Sequence, residues 1–166
     1  MKLIRLKPDS PELATLCSIN EEAFPPNERM NLTDDNGAVC GFFIIVLTDD
    51  CCYVAYFAVM AAYRGQGIGS QALKLLFEYC GNRQLIIDFE AIDEKAPNNE
   101  QRKRRRAFYL RNGFFPTGYF RHYMDCEFEV FSNWEIYNQQ IFVKLLDSTR
   151  CAISDAEILA PPYRRD

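Results

Sequence analysis

A chain of 166 residues is long enough to bury one substantial core and fits a single domain. Its 48% hydrophobic and 25% charged residues are ordinary for a globular protein and argue against disorder. The net charge of -4 argues against a protein that coats nucleic acid or an anionic membrane.

The first seven residues alternate well enough to open with a strand, and lack the apolar core of a secretory leader. Ser10 and Pro11 then start a helix that carries Leu13, Leu16, Cys17, Asn20 and Phe24 on one face and stops at Pro25 and Pro26. Residues 27–37 are short and polar and specify no element of their own. Residues 39–47 and 53–60 are almost continuously apolar, the mark of strands covered on both faces, and Thr48, Asp49 and Asp50 between them make a hairpin.

Residues 57–70 read Phe-Ala-Val-Met-Ala-Ala-Tyr-Arg-Gly-Gln-Gly-Ile-Gly-Ser: an apolar strand end, one arginine, three glycines and the start of a helix. Gly65, Gly67 and Gly69 let the backbone turn tightly and bring its N–H groups close to a ligand. The free N–H groups of the following helix favour an anion, and Arg64 adds a fixed positive charge. This is the chemistry of a diphosphate site. The Gly-Lys-Ser/Thr of an ATPase loop is absent. A dinucleotide fingerprint started at Gly65 would need glycine where Ser70 stands, and a strand that belongs to a hairpin does not suit a Rossmann unit. A nicotinamide-dependent oxidoreductase is thus the weaker alternative.

Ile68, Ala72, Leu75, Leu76 and Tyr79 repeat at helical spacing, with Gly81 as the stop. Residues 85–92 form a strand that places Asp88 and Glu90 on one face. A helix capped at Asn98 or Asn99 runs to Asn112, where Gly113 ends it. Residues 117–123 and 127–132 read as a hairpin, and a last helix carries Trp134, Tyr137, Ile141 and Leu145 on one face. The expected domain covers 1–150, and 151–166 reads as a loose C-terminal tail.

Seven cysteines without Cys-x-x-Cys spacing, and a single histidine, His122, suggest neither a disulfide framework nor a metal site. Adjacent Cys51 and Cys52 read as reduced thiols at a strand start, with a redox pair as the alternative. No apolar run reaches the roughly 20 residues that cross a bilayer, so a cytoplasmic protein is expected.

Tyr63-Arg64-Gly65-Gln66-Gly67-Ile68-Gly69-Ser70 resembles the acetyl-CoA signature of GNAT-type N-acetyltransferases, Gln/Arg-x-x-Gly-x-Gly/Ala. Ala107-Phe108-Tyr109-Leu110-Arg111-Asn112-Gly113-Phe114 resembles the family's second landmark, a helix ending in Tyr-x-x-x-Gly-Phe. The resemblance implies one α/β domain with a mixed, mostly antiparallel twisted sheet flanked by helices, here with the second-helix and second-strand region compressed. It implies acetyl transfer from acetyl-CoA to a primary amine of a small molecule or a protein, with a homodimer left open. A CoA-binding module without turnover is the rival from another class.

Residue by residue, the resemblance places the backbone N–H groups of Val59 and Met60 at the thioester carbonyl and residues 64–70 on the diphosphate. Tyr109 is implied as the general acid: a phenol of pKa near 10 stays protonated at neutral pH. Glu90 is the candidate base, with Asp88 as understudy. The competing reading of Glu90 is a salt bridge to Arg102, Arg105 or Arg106. The family often carries asparagine seven residues before the helix tyrosine; this chain has Arg102, so Asn99 takes that contact or Arg102 reaches the CoA phosphates. The run Arg102-Lys103-Arg104-Arg105-Arg106 otherwise reads as a solvated helix face, with a CoA-phosphate contact by one of its arginines as the alternative. His122 is a structural or pocket-lining residue, and Glu21, Glu22, Glu28 and Arg29 border the acceptor side.

Overall fold

The computed structural model describes residues 1–5, 28–123, 125–149 and 161–165. The strands are β1 (Lys2–Arg5), β2 (Glu28–Thr33), β3 (Val39–Leu47), β4 (Cys51–Val59), β5 (Gln84–Glu90), β6 (Phe115–Tyr123), β7 (Cys126–Ser132) and β8 (Tyr163–Arg164). The helices are α1 (Ile68–Cys80), α2 (Asn99–Arg111) and α3 (Gln139–Thr149), and a short 3-10 turn spans Ala61–Tyr63. All eight strands share one sheet in the order β1-β2-β3-β4-β5-β7-β6-β8. Neighbours run antiparallel except β4 and β5, whose parallel pairing requires the crossover that α1 supplies. The mixed, mostly antiparallel α/β domain is the fold expected. Among the described residues no helix is long and apolar enough to cross a membrane.

The sheet is covered on both faces, which is why β3, β4 and β5 are apolar at nearly every position. On one face, Cys52, Val54, Leu85, Ile87 and Phe89 pack under Ala72, Leu73, Leu76 and Cys80 of α1 and Tyr109 of α2. On the other, Cys51, Tyr53, Ile86 and Val130 pack against Phe142, Leu145 and Leu146 of α3. The α1 stripe is rotated from its expected position: Tyr79 is exposed and Leu73 is buried instead. Gly81 ends α1 as expected, with φ of 59° and its N–H on the Phe77 carbonyl.

Three expectations change. The polar stretch 27–37 has not lost its second strand: β2 lies there, pairing with β1 and β3. Its Asn31 and Thr33 are buried beside Met30 and Leu32, so apolar alternation could not reveal it. The last helix starts at Gln139 rather than near Trp134, because Asn138 Oδ1 accepts the Gln140 N–H at 3.1 Å and caps it there. The described end of the tail is not loose. Tyr163 and Arg164 pair with β6, Tyr163 donates its hydroxyl to Glu127 at 2.7 Å, and Arg165 pairs with the same carboxylate and stacks over Phe120. The reading of Cys51 and Cys52 as reduced thiols holds: they face opposite sides of the sheet, as successive strand residues must, so they cannot pair with each other. The helix expected from Ser10 to Phe24, with Glu21 and Glu22, lies outside the described residues.

Burial pushes the Cys51 thiol and the Tyr109 and Tyr137 phenols above their ordinary values. Cys52 is pushed the same way by its hydrogen bond with Cys80 and then by burial. All four are therefore held neutral in the fold. That contribution is complete below the unfolded-state values, about 8.5 for a thiol and about 10 for a phenol, and is lost as pH rises past them, because the unfolded chain ionises first. Urea unfolding across pH is expected to show stability falling from about pH 8.5 upward; stability still increasing through that range would contradict this account.

Candidate active site

The site begins where β4 and β5 part. Their parallel register joins Cys51–Val54 to Gln84–Ile87 and goes no further. Beyond it β4 stays with β3 while β5 stays with β7. The β3–β4 register shifts between Ile44 and Ile45, leaving Ala55 as an extra residue, and such a bulge bends and twists its strand. A wedge opens between the two strands. It holds a cavity of about 250 Å³ lined by Ala55, Phe57, Asp88, Phe89, Arg105 and Tyr109, among others.

The chain then turns from β4 into α1. Gly65 and Gly67 have φ of 76° and 78°, the left-handed region that side chains disfavour. The Arg64 Nε donates to the Val59 carbonyl at 3.0 Å, which fixes the guanidinium beside the turn. The first hydrogen bond of α1 runs from Gln71 N–H to the Gly67 carbonyl at 3.1 Å. The N–H groups of Ile68, Gly69 and Ser70 thus precede the helical ladder and carry the positive end of its dipole. A Cβ on Gly69 would lie 3.1 Å from the Phe108 ring, so the missing side chain lets the first turn of α1 sit against α2. Between them lies a cavity of about 750 Å³.

Seven residues nominated from the sequence line this larger cavity: Val59, Arg64, Gly65, Gly67, Ile68, Gly69 and Ser70. Four nominated residues do not. The Met60 N–H donates to the Cys40 carbonyl at 2.9 Å, so the sheet engages it. By strand alternation the Val59 N–H points the other way, away from β3, and Val59 lines the larger cavity. The Gln66 side chain folds back onto the Ala62 carbonyl at 2.9 Å. Asn99 is buried and accepts the Asp93 N–H at 3.1 Å. Arg102 binds the Ala91 carbonyl, Asn98 and Glu90. The residues missed are on α2: Gln101, Phe108 and Arg111 join Arg104 and Arg105 of the basic run in a stripe facing the loop. Their i, i+3, i+4, i+7 spacing was visible, but a polar stripe looks like a solvated face until something sits opposite.

The basic run is not a solvated face throughout. Arg102 and Arg105 grip the two oxygens of Glu90, each at 3.1 Å, and Asn98 donates to the same carboxylate. Arg106 holds Glu129 through two nitrogens at 2.8 and 3.1 Å and lies over Phe131. Lys103 bridges Glu94 and Glu100. Only Arg104 and Arg105 of the run turn to the cavity. Glu90 therefore sits in the salt bridge that was its competing reading, with both oxygens occupied. Asp88 is occupied too, by Arg121 and by the Tyr53 hydroxyl at 3.0 Å, with the Arg121 side chain almost wholly buried. His122 is exposed and lines neither cavity. Glu28 and Arg29 open β2.

Tyr109 lies at the floor of the wedge, stacked on Phe89 with ring centroids 4.9 Å apart and edge-on to Phe108 and Phe114. Burial raises its phenol above the usual value, opposed by the positive charge of Arg105 and assisted by Asp88. It is thus a protonated donor at neutral pH. Phe57 and Arg105 line both cavities, so the loop cradle and the wedge meet at these two residues.

The sequence matches the acetyltransferase (GNAT) family over residues 4–114. Among solved structures it is similar to a GNAT-family protein from Bacteroides thetaiotaomicron, at TM-score 0.64 and 20% identity, covering 87% of this chain and 93% of that one. It is also similar to a GNAT-family acetyltransferase from Elizabethkingia anophelis with acetyl-CoA bound, at TM-score 0.59 and 15% identity, covering 79% and 95%. A third is the ribosomal-protein-S18-alanine N-acetyltransferase from Escherichia coli, at TM-score 0.56 and 18% identity, covering 79% and 91%. A search of curated proteins finds no match.

The Asp88–Arg121 pair is buried, and removing one partner strands the other charge. Arg121→Leu is expected to lower stability by about 3–5 kcal/mol in urea unfolding, and the double replacement Asp88→Leu/Arg121→Leu to recover much of that loss. An Arg121→Leu protein as stable as the parent would remove this pair from the architecture.

Proposed function

The chain belongs to the acetyltransferase (GNAT) family, and from that premise we propose that it moves the acetyl group of acetyl-CoA directly onto a primary amine of a small molecule or a protein. The family is one of acyl-CoA-dependent N-acetyltransferases, with acetyl-CoA as cosubstrate. The observation that carries the reading is the junction of the two cavities at Phe57 and Arg105. A donor held by its diphosphate at residues 64–70 extends along that junction and delivers its thioester to the wedge.

Where the wedge meets the larger cavity the amine nitrogen attacks the thioester carbonyl, forming the C–N bond, while the oxygen gains charge beside the Val59 N–H. When the C–S bond breaks, its electron pair goes to sulfur and the Tyr109 hydroxyl supplies the proton, which water then returns to the phenolate. The amine's surplus proton leaves through water, since Glu90 and Asp88 are both engaged by arginines. Binding donor and acceptor side by side supplies a large part of the acceleration. The acceptors named for similar structures differ, from a ribosomal protein alanine to spermidine, and the fold by itself selects none of them.

Turnover of acetyl-CoA against a panel of primary amines, read as released thiol, tests the reading. Tyr109→Phe is expected to lower kcat by about 10²- to 10⁴-fold, the usual worth of a positioned acid, and to leave KM for acetyl-CoA within about threefold. Unchanged kcat in that variant would sink Tyr109 as the acid, and binding without turnover on any amine would favour a CoA-binding module.

A further inference from the structure

Arg64, Arg104, Arg105 and Arg111 line the larger cavity, and among the described residues no carboxylate does. Two of these charges are already accounted for. Arg64 is fixed beside the glycine turn, where a diphosphate would lie, and Arg105 is shared with Glu90. The other two are in excess. Arg104 uses its Nε on the neutral Glu100 carbonyl at 3.1 Å, while the Glu100 carboxylate belongs to Lys103. Among the described residues neither Arg104 nor Arg111 forms an ion pair. They stand seven residues apart on α2, about 10 Å along its axis, on either side of Phe108 and across the cavity from the start of α1.

Uncompensated guanidinium groups gathered on the wall of a cavity are repelled by one another and stabilised by an anion. The diphosphate is served from the opposite wall by backbone N–H groups and Arg64. A CoA thioester carries a second, separate anion, the phosphomonoester on its ribose 3′ oxygen, whose charge and three terminal oxygens suit forked guanidinium donors. We propose that Arg104 and Arg111 form a subsite for this 3′-phosphate and make the protein select CoA over its 3′-dephospho form. The inference rests on the CoA-donor reading above.

Isothermal titration with CoA and with 3′-dephospho-CoA separates the two claims. The parent protein is expected to bind CoA roughly tenfold or more tightly than 3′-dephospho-CoA, a preference that shrinks as salt is raised. Arg104→Gln/Arg111→Gln removes both charges and leaves polar, helix-compatible side chains. It is expected to bring the two affinities to within about twofold by weakening CoA alone, with an unchanged thermal midpoint showing the fold intact. Equal affinities in the parent, or a variant that loses both ligands alike, would overturn the subsite while leaving the CoA donor in place. Failure of the parent to bind either ligand would overturn the donor reading itself.

Discussion

The site depends on one interruption in hydrogen bonding. β4 and β5 are paired at their starts and unpaired at their ends, because the bulge at Ala55 and the allegiance of each strand to its other neighbour pull them apart. Parallel pairing brings both strand ends to the same edge, and the parting exposes backbone and side chains there to a ligand without opening the core behind. Everything with chemical potential gathers at that opening: the glycine turn leaves the end of β4, α1 begins beside it, and Tyr109 forms its floor. A sheet paired along its whole length would have no wedge.

α2 does two jobs on different faces. Arg102, Arg105 and Arg106 attach it to the carboxylates of Glu90 on β5 and Glu129 on β7, while Gln101, Arg104, Phe108 and Arg111 turn to the cavity. Tyr109 is aimed at the wedge because those attachments fix the helix rotation and because Phe89, Phe108 and Phe114 surround its ring. The carboxylates of β5 consequently act in holding the site's shape. Arg105 connects the two roles, being held by Glu90 and touching both cavities.

Much was legible before any coordinates. The apolar runs of β3, β4 and β5, the glycine turn and the stops at Gly81 and Gly113 follow local rules: burial on two faces, left-handed backbone, helix termination. The second strand was not legible, because Asn31 and Thr33 are buried within the sheet and break the apolar pattern. The start of α3 was hidden because Trp134 and Tyr137 continue its period while the Asn138 cap decides where the helix begins. The tail read as loose because the partners of Tyr163 and Arg165 are on β6 and β7, far away in sequence.

The sequence by itself determined the glycine turn into α1, since glycine spacing and a helix start are local properties, and it determined the helix that carries Tyr109. Only the tertiary structure decided how the charged residues are shared out. Whether an arginine in the run 102–106 holds a carboxylate, faces solvent or waits for a ligand depends on what another strand brings within about 3 Å, the reach of a hydrogen bond. No spacing along one helix carries that information. The same holds for Glu90 and Asp88, whose shared strand face was plain from their separation by two, while the arginines that occupy them come from α2 and β6.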